Sequence, residues 1–319
     1  LIAVYIMVSV SNALHRQPIL RSVPLPFLRF TLLTVFAAIV VFLAIVTAAT
    51  IREIASVAPV YEANIDTMLV GIAGRFELDH QKLWDELRAV TIDAFDLRQM
   101  FLSLLGGFTN VGAAVFLIVI YAAFLMSERS DFEKKVTAAF SSPEKANRAM
   151  DIVRAINARV SDYLAMKTLI NVILGGISFV ILYLHGIDFA LFWAVMIGLL
   201  NYIPYVGAYI GVFFPVVLSL AQFGSLPVTL SLAAFLTGAQ VILGNIVEPR
   251  FIGRHVNLSP VVVLIALSVW TALWGISGAI LAVPMTSVMT IILGRFEKTR
   301  FLAVLLADQV EEDVEGVQQ

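Results

Sequence analysis

Two long stretches of this chain carry no charged or histidine side chain, and both are interrupted by proline and glycine. They cover residues 189–247 and 256–294. Stretches of this kind are typical of the hydrocarbon core of a membrane, where an ionised side chain is costly. The interruptions leave five apolar pieces, at residues 190–203, 206–222, 226–247, 260–274 and 278–293. Four of them are short for a full crossing. The pattern therefore predicts two broken hairpins that enter the membrane and return, reaching either the far face or only the midplane.

Longer uninterrupted spans precede the hairpins. Residues 30–51 are uncharged and would extend about 33 Å as a helix, enough to cross a bilayer. A second membrane helix is predicted within residues 101–127, and a third between Lys167 and Asp188. Residues 1–10 are apolar as well, and we expect them to be the end of a further helix. The count is about seven to eight membrane helices and half-helices.

Composition agrees with this pattern and excludes several classes of protein. The 319 residues are 60% hydrophobic and only 14% charged, with a mean hydropathy of +0.93. The alternation typical of membrane strands is absent, so we expect an all-α polytopic membrane protein. The net charge is -2, and the sequence has no basic cluster that would indicate nucleic-acid binding. Since the chain has no cysteine, disulfides and cysteine-based metal sites are excluded, and we expect neither a metal nor another cofactor.

The polar segments have helical periodicity. Apolar residues recur at helical spacing in residues 78–101, which predicts an amphipathic helix outside the membrane. Further on, Ser141 and Ser142 precede Pro143 and Glu144, a typical helix start. The simplest interpretation is one helix from about 142 to 184, amphipathic at first and membrane-embedded later.

The distribution of basic residues predicts the orientation, because loops rich in Lys and Arg stay in the cytoplasm. Residues 12–29 contain three arginines and no acid, whereas residues 52–100 contain nine acids and five basic residues. Because successive connections between membrane helices lie on alternating sides of the membrane, the chain can be divided into six segments. It comprises N-terminal membrane helices (1–51), an extracytoplasmic helical segment (52–100), a membrane helix (101–127), a cytoplasmic amphipathic segment (128–167), a membrane core (168–294) and a cytoplasmic C-terminal tail (295–319).

Three ordered motifs connect the chain with a known family. They are Asn-Tyr-Ile-Pro-Tyr-Val-Gly at 201–207, Asn-Ile-Val-Glu-Pro-Arg-Phe-Ile-Gly-Arg at 245–254, and Gly-Ile-Ser-Gly-Ala-Ile-Leu-Ala-Val-Pro at 275–284. Together they resemble the autoinducer-2 exporter family of bacterial membrane proteins. Tyr163 with Lys167 is a weaker match. The resemblance covers roughly residues 120–305.

The resemblance implies a secondary transporter or facilitator in the bacterial inner membrane that exports a small polar molecule similar to autoinducer-2. It also implies a homo-oligomer among membrane lipid. Two alternatives stay open. One is a sodium/proton antiporter of the same family, and the other is a membrane scaffold for envelope machinery that transports nothing.

The first break supplies candidate residues for the substrate pathway, Asn201, Pro204, Gly207 and Gly211. Pro204 removes an amide donor, which frees a carbonyl, and Asn201 could bind a solute or cap the broken end. Gly207 and Gly211 leave backbone exposed on one face. The alternative is that both glycines only allow a neighbouring helix to pack closely.

The second break, at residues 275–284, and the segment before it supply the remaining candidate residues. Broken membrane helices often line transport sites, so Gly275, Ser277, Gly278 and Pro284 are assigned to the pathway or its hinge. Gln240 and Asn245 could contact substrate or form interhelical hydrogen bonds. Glu248 could carry a coupling ion or proton, or it could be a boundary residue paired with Arg250 or Arg254.

Enzymatic activity is not expected. Gly275, Ser277 and Gly278 form a G-x-S-G sequence, which resembles the serine motif of rhomboid-type intramembrane proteases. That mechanism needs a histidine base later in the chain, and no histidine follows His255. Sequences for metalloprotease or nucleotide-binding sites are also absent.

Overall fold

The computed structural model describes residues 23–76, isolated positions between 117 and 140, residues 142–252 and residues 257–308. The predicted amphipathic helix at 78–101, nearly all of the span at 101–127 and the end of the tail lie outside the described residues. Within them, every secondary-structure element is a helix, as predicted.

Nine α-helices with defined bounds follow one another in the described ranges. They are α1 (Leu25–Phe76), α2 (Pro143–Leu184), α3 (Ala190–Leu200), α4 (Val206–Phe223), α5 (Leu226–Ile242), α6 (Glu248–Ile252), α7 (Pro260–Trp274), α8 (Ile276–Gly294) and α9 (Arg300–Leu306). A π-helical segment, Leu243–Val247, joins α5 to α6. Five stretches in these ranges are long and apolar enough to cross a membrane.

Helix α1 contains the predicted first span and continues well beyond it. Its apolar part, Phe30–Ile54, matches the prediction for residues 30–51. Phe30 and Phe42 are 68% and 60% exposed, which in a membrane places these side chains against lipid. Pro59 lies within the continuation.

Helix α2 is the central element and confirms the prediction of one helix from about 142 to 184. Pro143 occupies its first turn after an extended Ser142, and Glu144 forms an ion pair with Arg148. Leu164, Leu174 and Leu182 are almost fully buried. These side chains belong to a core that also includes residues of α3, α5 and α8.

The two predicted hairpins are present with nearly the predicted pieces. Hairpin 1 consists of α3 and α4 joined by a non-helical tip at residues 201–205. Hairpin 2 consists of α7 and α8 joined at Gly275. The two break motifs predict that residues 201–211 and residues 274–284 each form a non-helical turn or a helix break.

Each stretch contains a helix break, at residues 201–205 and at Gly275, but the break is shorter than the stretch. Residues 206–211 and 276–284 are helical, so Gly207, Gly211, Ser277, Gly278 and Pro284 lie inside helices. A proline interrupts only one helical hydrogen bond, and membrane helices tolerate it where neighbouring groups satisfy the freed backbone. The breaks are therefore confined to the residues at the two tips.

Both ends of hairpin 1 are held together by Gln222. Its side chain donates to the carbonyl oxygen of Gly186 at 2.9 Å and accepts from the amide of Asp188 at 2.9 Å. Asn64 of α1 donates to the carbonyl of Gln222 at 2.7 Å, and Tyr61 donates to Asp188 at 2.8 Å. We call these contacts the α1 clamp. They place the base of hairpin 1 at the Leu184 end of α2.

The base of hairpin 2 is closed by contacts between its two flanking segments. The amide of Ser259 donates to the carbonyl of Leu306, and the amide of Asp308 donates to the Asn257 side chain. The two ends of each hairpin therefore lie close together. Hairpin 2 follows Glu248 in the chain, and Glu248 contacts Lys167 of α2. Lys167 lies about 26 Å of helix rise from Leu184, the end of α2 at which hairpin 1 has its base. This arrangement agrees with two hairpins that enter from opposite sides.

Candidate functional site

A cavity of about 670 Å³ lies between the tip of hairpin 1, α2, the end of α5 and hairpin 2. Its wall is mostly apolar, with a few polar side chains, as is usual for a small-molecule site. The residues that matter for its chemistry are Tyr163, Lys167, Asn201, Pro204, Tyr205, Tyr209, Thr237, Gln240, Asn245 and Glu248.

One wall contains an ion pair between Lys167 and Glu248. The distance from Nζ to Oε1 is 2.6 Å, and the side chains are only 4% and 25% exposed. Lys167 comes from α2, whereas Glu248 follows the π-helical segment at the start of α6. Removing one partner of such an enclosed pair would leave an uncompensated charge, which is strongly unfavourable.

The tip of hairpin 1 is fixed to the same turn of α2. Asn201 donates its amide hydrogen to Oδ1 of Asn171 at 2.8 Å, and the hydroxyls of Thr168 and Tyr202 lie 2.7 Å apart. Because Lys167, Thr168 and Asn171 fall within one helical turn, a single short segment of α2 contacts both the tip and Glu248.

Backbone strain marks the tip at Tyr205. This residue has φ 59° and ψ -62°, a left-handed region that a residue with a Cβ rarely occupies. Pro204 precedes it, and both line the cavity. Strained backbone of this kind concentrates at functional sites and ligand clamps.

The π-helical segment also forms part of the cavity wall. Such segments are rare and frequently occur at functional sites. Here the segment includes Gly244 and Asn245, both of which line the cavity, and Glu248 follows directly. One turn earlier, Nε2 of Gln240 is buried and has no hydrogen-bond partner among the described residues.

The cavity brings together five of the eleven predicted site residues, Asn201, Pro204, Gln240, Asn245 and Glu248. The other six, Gly207, Gly211, Gly275, Ser277, Gly278 and Pro284, do not line it. A Cβ at Gly207 would overlap the carbonyl of Leu200, and one at Gly278 would overlap that of Trp270. For Gly207 the structure favours the close-packing alternative, and Gly278 has the same geometry.

Glu248 has a partner that the sequence analysis did not assign. We had considered Arg250 and Arg254; the structure pairs Glu248 with Lys167, and Arg254 lies outside the described residues. Sequence reasoning also missed Thr168, Asn171 and Tyr205. A signal existed for Asn171, since it is the first amide after Lys167 in an apolar helical run, and polar groups inside membrane helices tend to be functional.

The arrangement can bind a neutral polar solute. The charges of Lys167 and Glu248 compensate each other, and the remaining polar lining groups are amides and hydroxyls. In the described part of the chain, no group of three or more His, Cys, Asp or Glu is placed to hold a metal ion.

The chain is similar to known transport proteins. A family model described as "AI-2E family transporter" matches residues 1–298. A "Putative transport protein" of Borreliella burgdorferi is 32% identical over 249 residues, which cover 78% of this chain and 67% of that protein. "Putative transport protein YhhT" of Escherichia coli K12 is 31% identical over 82% of this chain and 74% of its own length. "AI-2 transport protein TqsA" of the same strain is 28% identical, over 98% of this chain and 89% of its length.

Proposed function

The chain belongs to the AI-2E transporter family, and from that premise we propose that it exports a small uncharged polar solute, similar to autoinducer-2, across the bacterial inner membrane. The C-terminus faces the cytoplasm in this proposal, because the basic residues Arg295, Lys298 and Arg300 follow the last apolar helix. One relative at 28% identity is named an AI-2 transport protein, which supports a solute of this kind.

The observation that carries the proposal is the cavity itself. It lies between a strained hairpin tip and the π-helical segment, and its only described charged residues are paired with each other. A cavity without excess charge favours a neutral solute over an ion, since a buried unpaired charge is costly. Its amide and hydroxyl groups can orient such a solute by hydrogen bonds.

Flux measurements in liposomes test this function. The purified chain would be reconstituted and assayed with a panel of small neutral polar solutes, with and without sodium and proton gradients. Gln240→Leu is the informative variant, because Nε2 has no protein partner, so its loss removes no hydrogen bond of the fold. We expect flux to fall about tenfold, as loss of one good hydrogen bond to a solute would give.

Ser268→Ala is the matched control. Ser268 lies on α7 away from the cavity and bonds only its own helix, at the carbonyl of Leu264. Normal flux in both variants would exclude the cavity as the site. A wild-type protein inert toward every solute and gradient would favour the alternative of a membrane scaffold.

A second candidate function is sodium/proton exchange, which the Lys167–Glu248 pair favours. An ionisable group enclosed at membrane depth is often part of an ion pathway. Glu248→Gln removes the titratable carboxyl while keeping its shape. Loss of sodium-driven proton movement in this variant would support exchange, and unchanged movement would exclude Glu248 as the ion carrier.

We also propose that the chain acts as a homo-oligomer in the membrane. Bulky apolar side chains of α1, among them Phe30, Phe42 and Ile45, are more than half exposed, so this helix offers a surface for lipid or for a second copy. Mass measurement of the complex in mild detergent would test this, and a monomer at all concentrations would contradict it.

A further inference from the structure

Three polar contacts start from about one turn of α2, beside the cavity. Thr168 and Asn171 hold the tip of hairpin 1 through Tyr202 and Asn201, while Lys167 holds Glu248. Two of these contacts join neutral groups. The third joins two charges and is therefore the one whose strength depends on the protonation of a side chain.

The two partners of this pair are enclosed to different degrees. Lys167 is 4% exposed, whereas Glu248 is 25% exposed and lines the cavity. A proton that reaches the cavity from water can therefore attach to a carboxylate oxygen of Glu248. The ammonium of Lys167 would then be enclosed without a counter-charge, an unfavourable state that is relieved when the side chain moves toward cavity water.

We infer that the Lys167–Glu248 pair is a proton-operated lock, in which protonation of Glu248 releases Lys167 and lets α6 separate from α2 at the cavity wall. The inference rests on the proposed transport function and assigns its regulation. The proton comes from the aqueous phase and stays on Glu248, while Lys167 keeps its own protons. The pair thereby changes from neutral to singly positive, which favours hydration of the cavity.

A proton fits this site better than a sodium ion. Sodium prefers several oxygen ligands, and the ammonium of Lys167 already occupies the open side of Oε1 at 2.6 Å. Among the described residues, the other titratable groups that line the cavity are Tyr163 of α2, Tyr205 of the tip and Tyr209 of α4. Beyond the lining, Tyr202 lies at the tip, Arg250 lies in α6, and α2 carries charged residues before Lys167, of which Asp162 and Arg159 are the nearest in the chain. The described parts of α3, α5 and α8 add only neutral side chains.

A thiol on the cavity wall measures opening without any solute. The chain has no cysteine, so Ala208→Cys would introduce a single thiol at a cavity-lining position. The rate of its reaction with a water-soluble maleimide would be measured in proteoliposomes at several pH values. Ser178→Cys provides the control, because Ser178 is 1% exposed in α2 and should stay unreactive unless the whole fold loosens.

We expect Glu248→Gln, which resembles protonated Glu248, to speed labelling at residue 208 by about tenfold or more. The rates are compared at equal pH, because acid lowers the thiolate fraction and slows the labelling reaction itself. As the pH falls, the rate of the parent protein relative to that of Glu248→Gln should rise until the two are equal. The exchanged pair Lys167→Glu with Glu248→Lys should restore slow labelling.

Three outcomes would overturn the lock. They are equal labelling of the parent protein and Glu248→Gln at all pH values, faster labelling with sodium at constant pH, and reactivity at residue 178 that rises together with that at residue 208. Labelling that responds to pH in a protein that moves no solute would instead keep the lock and contradict the proposed transport function.

Discussion

Gly207 lies so close to Leu200 that a Cβ atom on the glycine would overlap the leucine carbonyl oxygen. Hairpin 2 repeats the relationship, with Gly278 against the carbonyl of Trp270. In both hairpins a glycine just after the tip lets the two helices meet backbone to backbone, as small residues do in membrane proteins. The shared geometry explains why each hairpin can turn within so few residues.

We expect Gly207→Ala to force the two helices of hairpin 1 apart. The obstacle is backbone rather than the end of a flexible side chain, so the strain should reach or exceed the usual 1–3 kcal/mol or so of overpacking. Gly211→Ala is the matched control, because its Cβ would lie 3.4 Å from Cα of Ile197, an ordinary contact. Thermal unfolding in detergent would compare the two variants. Equal melting temperatures would show that the hairpin is not packed as described.

A second prediction concerns the amide pair at the tip. Asn201→Ala removes the donor to Asn171, whose side chain is 4% exposed and whose Nδ2 already has no partner among the described residues. Leaving a buried polar group unsatisfied costs about 1–3 kcal/mol. A double-mutant cycle with Asn171→Ala should therefore give a coupling of about 1 kcal/mol in the free energy of unfolding. Additive effects would mean that the two amides do not interact.

The sequence alone predicted the fold well because hydrophobic runs and their interruptions are local signals. The five apolar pieces correspond to α3, α4, α5 with the π-helical segment, α7 and α8. The extent of the breaks was less predictable. Pro204 and Pro284 look alike in sequence, yet Pro204 lies in a non-helical tip and Pro284 lies inside α8, since tertiary contacts decide whether a proline ends a helix.

The site was predicted only in part, for a related reason. Residues at the break and near the end of α5 could be found from composition, but the contact between Lys167 and Glu248 joins positions 81 apart in the chain. Periodicity shows which residues share a helix face and not which helix that face meets. Lys167 was noted only as part of a weak motif, and its pairing became evident from the tertiary arrangement.

The proposed orientation gives a third prediction, which single cysteines can test in intact cells. Cysteines replacing Glu62, Glu144 and Glu297 would each lie at an exposed position. We expect the thiol at residue 62 to react with an impermeant reagent, while those at 144 and 297 react only after the cells are opened, because the basic segments stay inside. Reaction at residue 297 in intact cells would reverse the proposed orientation.

The fourth prediction concerns Tyr61, the residue of the α1 clamp that bonds Asp188. Burial, together with the hydrogen bond to Asp188 and the negative charge of that residue, raises the pKa of the Tyr61 phenol above its usual value. Because the folded-state pKa is the higher one, the stability that this phenol contributes is complete below about pH 10 and is lost as the pH rises toward the folded-state pKa.

Alkaline titration of the melting temperature would measure this loss. The parent protein should lose stability above about pH 10 more steeply than Tyr61→Phe, which has no phenol to ionise. At neutral pH the variant should be less stable by about 1 kcal/mol, the usual contribution of one hydrogen bond. Exposed Tyr183 supplies the control, since Tyr183→Phe should keep the steep alkaline loss. If Tyr61→Phe and the parent protein titrate in parallel, the hydroxyl of Tyr61 does not hold hairpin 1 to α1.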